Sequence, residues 1–196
     1  LAVIKEYGAT RISINPQTLS DEVLAAIGRR HTAQDVLDCF AQARRLGHGN
    51  INMDLIAGLP LDTPARFAQT LQGVLALAPE NITVHTLTLK RASNLVIEHA
   101  PNAYGDVARM LDSCALLGEN GYEPYYLYRQ KGTLQNLENT GYTRPGYAGL
   151  YNVFIMEEVH TILSAGAGGS TKLVGPDGHI RRIFNHKYPL EYIERF

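Results

Sequence analysis

Residues 50–60 read Asn-Ile-Asn-Met-Asp-Leu-Ile-Ala-Gly-Leu-Pro, and this stretch indicates the fold class. Residues 51–57 are apolar except for one asparagine and Asp54, a pattern that predicts a strand covered on both faces. The glycine and proline end the strand, and Thr63-Pro64 then supplies a helix cap followed by proline in the first turn. The stretch therefore predicts one strand–helix unit.

Similar units lie on both sides of it. Residues 11–15 form a short β-rich run ended by proline, and two helices follow, one capped by Ser20 and one capped by Thr32. A further strand is predicted over residues 82–89. Because strands and helices alternate along this half, the sequence predicts an α/β fold with a parallel sheet.

The second half of the chain has a different pattern. A helix predicted over about 103–117 is followed by short strand-like runs separated by glycine-rich turns. We expect an antiparallel appendage, and therefore two domains, residues 1–120 with three βα units and residues 121–196 with mixed helices and strands. The strand-like runs are residues 124–129, 151–156, 161–165 and 180–184.

Composition excludes several classes of protein. Of 196 residues, 45% are hydrophobic and 19% charged, which is typical of a globular protein and excludes a disordered chain. No apolar run approaches the ~20 residues of a membrane span. A net charge of −1 gives no electrostatic reason to expect nucleic acid as a partner. Cys39 and Cys114 are too few for a disulfide framework, so we expect a reducing, cytoplasmic location.

The strand count and the chain ends point to a longer protein. Three parallel strands cannot close a barrel, which needs about eight. The chain opens with Leu1 inside an apolar run, and residues 189–196 read as a helix without a capping glycine. We therefore expect that further strands precede this segment. Their loss would expose a sheet edge, so we expect the isolated chain to self-associate.

Polar side chains near the carboxyl ends of the strands are the candidate site, because ligands bind there in parallel α/β folds. They include Gln17, Asp54 and Thr88, with Arg29 following the first helix. Asp54 is the most informative, since a carboxylate in an apolar run needs a partner. That partner is either a ligand or Arg29, and the residues alone leave both open. His85 is interpreted as a core or lumen histidine rather than a catalytic one.

Other features carry weaker signals. Residues 164–171 are glycine-rich but lack the lysine of a phosphate-binding loop, so close backbone packing explains them equally well. The histidines and cysteines do not fall at metal-ligand spacings. Core packing is the default interpretation for the tyrosines. Four of these tyrosines lie close together, at positions 122, 125, 126 and 128.

Several of these motifs occur in an order that is familiar from one family. The sequence resembles the radical S-adenosylmethionine (SAM) family of oxygen-independent coproporphyrinogen III dehydrogenases, on residues 11–17, 27–31, 50–60 and 84–87. Residues 123–131 and 138–142 are similar to its HemZ-type branch. At positions 151–152 the chain has Tyr-Asn, where the related haem-chaperone branch has His-Asn.

The resemblance implies a fold and a set of cofactors. The fold would be a partial, six-stranded (β/α) TIM-like barrel with a C-terminal α+β domain, of which this chain holds the last three βα units. The cofactors would be SAM and a [4Fe–4S] cluster, whose cysteine ligands would precede this segment. By position, Gln17, Arg29 and Asp54 match SAM-contacting residues of the family. Thr88 matches a fourth position, where relatives have alanine, so only a backbone contact is expected there.

The resemblance also implies an activity. The full-length protein would oxidatively decarboxylate two propionates of coproporphyrinogen III to vinyl groups, with an electron donor and an electron acceptor as partners. This chain would carry only part of the active site. Two alternatives remain open: a haem-binding or haem-delivery protein on the same fold, and a radical SAM enzyme with another substrate.

Overall fold

A computed structural model describes residues 1–88, 106–129 and 133–195. The chain divides into two compact units, Leu1–Ala148 and Gly149–Phe196. The first unit contains α1 (Ala2–Glu6), β1 (Ile12–Gln17), α2 (Asp21–Ala26), α3 (Ala33–Arg45), β2 (Ile51–Ala57), α4 (Pro64–Leu77), β3 (Asn81–Thr86), α5 (Val107–Asp112), α6 (Ala115–Glu119), β4 (Glu123–Tyr128), a 3-10 turn (Leu134–Asn136) and β5 (Asn139–Thr143). The second contains α7 (Leu150–Met156), β6 (Ser170–Val174), β7 (Ile180–Phe184) and α8 (Pro189–Arg195).

The strands of the first unit form a five-stranded sheet in the order β1-β2-β3-β5-β4. The pairs β1–β2 and β2–β3 are parallel, as the alternation of strands and helices predicts. The strands β5 and β4 continue the sheet in antiparallel pairing. The domain boundary predicted at 120/121 therefore lies before two strands that complete the first unit, and the compact units separate later, after residue 148.

One face of this sheet is apolar and packs against helices. On this face, the apolar side chains of β1, β2 and β3 form a single buried cluster with side chains of α3, α4 and α5. Members of this cluster include Met53, Leu55, Phe40, Phe67 and Met110. Because buried apolar area is the main contribution to the stability of a fold, this face holds the sheet against the helices. The opposite face of the sheet is therefore directed away from them.

The two helices flanking β2 begin where their caps predict. The Thr32 hydroxyl accepts a hydrogen bond from the Asp35 backbone N–H, and the Asp35 carboxylate accepts one from the Thr32 backbone N–H, which forms a capping box. Thr63 accepts from the Arg66 backbone ahead of α4, whose first residue is Pro64. These local signals set the length of the connections that bring neighbouring parallel strands together.

Three predicted elements of the first unit have different bounds in the structure. Strand β1 continues through its proline to Gln17, across a register shift between Ile14 and Gln17. Strand β3 ends at Thr86. The helix predicted over 103–117 is two helices, α5 and α6, separated near Ser113; residues 103–105 lie outside the described part of the chain. Strand β5 was not predicted, because Asn-Thr-Gly-Tyr-Thr has little β-strand signal.

In the second unit one predicted strand is wrong. Residues 151–156 lie in helix α7, which begins after Gly149. A short apolar run fits both a buried strand and one or two turns of helix, so its pattern alone does not distinguish them, and the structure has a helix here. The strand predicted over 180–184 is confirmed as β7, which pairs antiparallel with the unpredicted β6. Within 161–165 the structure has only a single bridge, from Ile162 to Lys172.

Among the described residues, no helix is both long enough and apolar enough to span a membrane.

Candidate functional site: the polar face of the five-stranded sheet

The second face of the sheet is lined by polar side chains. In β2 every second residue, Asn52 and Asp54, points away from the apolar cluster, and in β3 Thr83 and His85 do the same. This alternation corrects the expectation that β2 is covered on both faces. The register aligns Asp54 with Thr83, so the polar residues of neighbouring strands lie side by side.

Asp54 is at the centre of this face. Its Oδ1 accepts a hydrogen bond of 2.6 Å from the Asn52 amide and lies 3.8 Å from His85 Nε2. Burial alone would raise the pKa of the Asp54 carboxyl, but the His85 ring and the Asn52 amide outweigh it, and the pKa is lowered from its ordinary value. Asp54 is therefore ionised at neutral pH, with a side chain 22% exposed.

His85 connects Asp54 to strand β4. Its Nδ1 lies 3.2 Å from the Tyr128 hydroxyl, and the two rings meet edge to face at 6.4 Å. Burial raises the pKa of Tyr128, and the negative charge of Asp54 raises it further. Tyr128 therefore keeps its proton. The line from Tyr128 through His85 to Asp54 joins residues of β4, β3 and β2 and passes over β5, which lies between β3 and β4.

A second branch runs through Thr83. The Thr83 hydroxyl donates a hydrogen bond of 3.0 Å to the side-chain oxygen, Oδ1, of Asn52, and it lies 3.4 Å from the Tyr126 hydroxyl. The Asn52 amide also reaches Ser13 on β1, at 3.3 Å. The rings of Tyr126 and Tyr128 are nearly parallel, with centroids 6.3 Å apart. Both branches converge on Asn52 and Asp54, so the face behaves as one hydrogen-bonded surface.

The turn after β2 holds the carboxyl end of that strand in place. Gly58 has φ +94°, and a Cβ at this position would lie 2.8 Å from a methyl group of Val107 on α5. Its backbone N–H donates to the Met110 sulfur at 3.1 Å. Beyond it, Leu59 packs with Val23 and Leu87 in a small apolar cluster. Only glycine fits this turn, and the turn sets the edge of the polar face.

The four predicted site residues lie at different places around this edge. Gln17 ends β1 in the left-handed region, φ +68°, and is paired in register with Leu55. Thr88 lies two residues beyond β3 and bridges to Thr133. Arg29 follows α2 and is exposed. In the described part of the chain no hydrogen bond or ion pair joins Gln17, Arg29 and Asp54 to one another, so they share an edge of the sheet without touching.

Of the two partners left open for Asp54, Arg29 does not contact it among the described residues. The basic group nearest its carboxylate is His85. Arg29 forms no ion pair with any residue that the structure describes. The ion pair with Arg29, predicted as one alternative, is therefore absent among the described residues. Both contacts described above are to Oδ1, and the Thr83 hydroxyl also helps to lower the pKa of the Asp54 carboxyl.

Sequence reasoning missed most of the polar face. Asn52 and Thr83 were not singled out, and Tyr126 and Tyr128 were assigned to core packing by default. The signal was present, because polar residues occur at every second position of β2 and β3. A strand with that period has one face directed away from the apolar core. The partners on β4 carried no such signal, since they meet β3 only through the fold.

The cysteines do not form a cluster site. Cys114 is buried in the apolar cluster, where burial raises the pKa of its thiol to about 12, and Cys39 lies on α3. A thiolate is the form that binds iron, and this environment disfavours it. In residues 1–88, 106–129 and 133–195 there is no group of three or more side chains suited to a metal ion. The described residues therefore do not fit an iron–sulfur cluster.

The glycine-rich segment of the second unit is held by its own backbone contacts. Asn185 donates to the carbonyls of Ser164 and Gly166, and Gly168 N–H donates to the His186 carbonyl. The close-packing interpretation explains these contacts. Beside this segment a cavity of about 320 Å³ is lined in part by Lys172.

Comparison with known proteins indicates the class. Residues 1–73 match the model of the Radical SAM superfamily. The chain is also similar to an oxygen-independent coproporphyrinogen-III oxidase-like protein, HemZ, of Bacillus subtilis (strain 168), with 46% identity over 100% of this chain and 40% of that protein.

Two further relatives extend the comparison. The heme chaperone HemW of Escherichia coli (strain K12) is 27% identical over 95% of this chain and 47% of its own length. The solved structure of coproporphyrinogen III oxidase (HemN) from Escherichia coli, described as a radical SAM enzyme, has a TM-score of 0.72 at 20% identity, over 98% of this chain and 45% of that one. The mixed α/β fold with its parallel sheet thus matches part of a radical SAM fold. The chain spans less than half the length of these relatives.

Proposed function

We propose that the full-length protein is a radical SAM oxidoreductase that converts coproporphyrinogen III to protoporphyrinogen IX. The 46% identity to a protein named coproporphyrinogen-III oxidase-like, across all of this chain, supports the reaction class. Within that reaction, this chain contributes part of the SAM site and part of the wall around the substrate. The six-stranded barrel, of which β1, β2 and β3 would be the last three strands, belongs to the same proposal.

One observation supports the role of this chain, namely the ionised carboxylate of Asp54 on a polar sheet face. A carboxylate accepts hydrogen bonds only, and a ribose offers two neighbouring hydroxyl donors. Asp54 Oδ1 is already held by Asn52, so we assign Oδ2 to the ligand. The partial burial of Asp54 makes each of these bonds stronger than it would be in bulk water.

The other predicted positions complete this proposal. Gln17, buried at the carboxyl end of β1, would contact SAM from the neighbouring strand. Arg29 is exposed and long enough to turn toward a bound anionic group. Thr88 would contribute through its backbone. The cluster is assigned to parts of the full-length protein other than this chain, because Cys39 and Cys114 do not fit it.

When bound, SAM would supply the one-electron chemistry that removes a hydrogen atom and CO₂ from each of two propionates, and an external one-electron acceptor would take the electron left by each vinyl group that forms. Asp54 and Gln17 would hold the adenosyl part of SAM at the sheet edge. The sheet face holds and orients the adenosyl group, and its apolar backing excludes water from one side.

The experiment uses the full-length protein with its cluster reconstituted anaerobically. Coproporphyrinogen III, SAM, a reductant and a one-electron acceptor are added, and the products are followed by mass spectrometry. We expect loss of two carboxyl groups with formation of 5′-deoxyadenosine. Asp54→Asn should weaken SAM binding by about tenfold or more, since a hydrogen bond to a charged group contributes ~1.5–3 kcal/mol. Asp38→Asn is the matched control, because Asp38 is an exposed carboxylate on α3.

A second candidate function is haem binding, favoured by the similarity to HemW across 95% of this chain. Tight stoichiometric binding of haem without turnover of the porphyrinogen would support it and overturn the oxidoreductase. If SAM is cleaved and the porphyrinogen stays intact without haem binding, the substrate proposal is wrong and the radical SAM chemistry remains.

A further inference from the structure

The contacts of His85 determine which of its ring nitrogens carries the proton. Nε2 faces the carboxylate of Asp54, which can only accept, whereas Nδ1 faces the Tyr128 hydroxyl, which can donate. A proton on Nε2, with the lone pair on Nδ1, satisfies both neighbours at once. The opposite tautomer would place a lone pair against a carboxylate, and the tyrosine hydroxyl would then have to accept.

Tyr128 is well suited to keep its proton and donate it. Burial and the Asp54 charge both raise the pKa of its hydroxyl, so at neutral pH this group is an un-ionised donor. Its ring is held in place by stacking against Tyr126, and Tyr126 in turn covers Gly141 on β5. The donor therefore comes from a rigid strand rather than from a mobile loop.

Packing does not account for the placement of these two rings. Neither His85 nor Tyr128 belongs to the apolar clusters of the first unit, and both are half-buried on the polar face. The His85 side chain is 28% exposed, and its ring is aimed at Asp54 rather than at a methyl group. The separation of 3.8 Å between Nε2 and Oδ1 is longer than a hydrogen bond, and hydrogen bonds in binding sites commonly tighten once a ligand is bound.

We propose that Tyr128 and His85 are positioning residues that fix the orientation of the Asp54 carboxylate for the ribose hydroxyls of SAM. Tyr128 sets the tautomer of His85, and His85 together with Asn52 holds Oδ1, which leaves Oδ2 for the ligand. This inference rests on the proposed function, because it takes Asp54 as a SAM contact. Tyr128, on β4, would thus affect SAM binding through His85 and Asp54, without itself touching the cofactor.

The test measures SAM binding to the full-length protein by equilibrium dialysis. His85→Ala should raise the Kd about tenfold, and His85→Gln should recover most of the loss, since its amide N–H replaces Nε2–H. Tyr128→Phe should raise the Kd about threefold. Tyr142→Phe is the matched control, because Tyr142 is a tyrosine of the same sheet that packs against the apolar cluster, and it should leave the Kd unchanged.

A spectroscopic readout separates positioning from general loss of structure. In protein labelled with ¹⁵N-histidine, the His85 signals should show Nε2 protonated in the wild type. In Tyr128→Phe they should move toward a mixture of tautomers, whereas in Tyr142→Phe they should stay as they are. An unchanged tautomer in Tyr128→Phe, or equal losses for His85→Ala and His85→Gln, would overturn the inference.

The two proposals fail in different ways. If Asp54→Asn binds SAM as tightly as the wild type, the assignment of Asp54 in the proposed function is wrong. If Asp54→Asn weakens binding and neither His85→Ala nor Tyr128→Phe does, the proposed function stands and the positioning role alone is refuted.

Discussion

The ring of Tyr126 on β4 lies directly over Gly141 on β5, in the space that a side chain at position 141 would occupy. The two residues are paired in register, and Gly141 is also paired with Thr83 on β3. The missing side chain lets Tyr126 reach across β5 to the Thr83 hydroxyl. The absence of a side chain at position 141 thus allows the contact between Tyr126 and Thr83, which connects the antiparallel strand β4 to the polar residues of the parallel strands.

Gly141→Ala should therefore displace the Tyr126 ring and destabilise the protein by about 1–3 kcal/mol, the usual cost of overpacking. The measurement is the urea-unfolding midpoint of the full-length protein. Gly118→Ala is the control, because a Cβ there meets no atom within 4 Å and the residue lies inside α6. That change should be neutral or stabilising by about 0.5 kcal/mol. Equal effects of the two changes would refute the role of the missing side chain.

A second prediction concerns the ion pair at the amino end of the sheet. Arg44 donates two hydrogen bonds of 2.9 Å to Glu80, which also accepts from the Ile51 backbone. The Glu80 side chain is 12% exposed, so Arg44→Met leaves a mostly buried carboxylate without its cation. We expect a loss of about 2–3 kcal/mol in the free energy of unfolding, measured by urea titration.

The matched control for this pair is Arg129→Met. Arg129 binds Glu138 at the same distance, 2.9 Å, but their side chains are 58% and 42% exposed. An exposed ion pair contributes little, so this change should cost less than about 0.5 kcal/mol. A comparable loss in both variants would mean that burial does not decide the strength of the Arg44 pair.

A third prediction is a pH dependence that arises from Asp62. Burial raises the pKa of this carboxyl to about 6, against the opposing effects of the Thr63 backbone and Arg66. Its Oδ2 is buried without a hydrogen-bond partner among the described residues. Because the folded-state pKa is raised, the stability contributed by the protonated group is present at low pH and is lost as the pH rises through about 6.

Asp62→Asn should therefore gain stability relative to the wild type as the pH rises. The ordinary and the raised pKa together set the size of this effect. The difference in the free energy of unfolding between the variant and the wild type should grow by about 2 kcal/mol between roughly pH 4.5 and 7.5. The measurement is the unfolding midpoint of both proteins at several pH values. A difference that stays constant across this range would show that Asp62 is not held in its protonated form.

A fourth prediction concerns this chain expressed on its own. In the described sheet β1 is an edge strand, and its outer backbone groups pair with no described strand. Such an edge recruits other chains. We expect the 196-residue chain to form oligomers or aggregates in size-exclusion chromatography with light scattering. A monodisperse monomer that unfolds cooperatively would contradict this expectation.

The elements that sequence predicted well are those whose signals are local. Strand β2 has the predicted bounds, and α3 and α4 begin after the predicted caps Thr32 and Thr63. Apolar runs and caps act within a few residues, so one sequence suffices to read them. Residues 151–156 were predicted as a strand but form a helix, because a short apolar run fits the pattern of a strand and of a helix equally well.

The candidate site divides in the same way. The sequence alone determined that Asp54 interrupts an apolar strand and needs a partner, because the cost of burying a carboxylate depends on its own chemistry. Only the tertiary structure decided that this partner is His85, and that Tyr128 reaches His85 from a strand 43 positions further along the chain. Strand order and register bring these groups together, and both depend on packing between elements that no local pattern records.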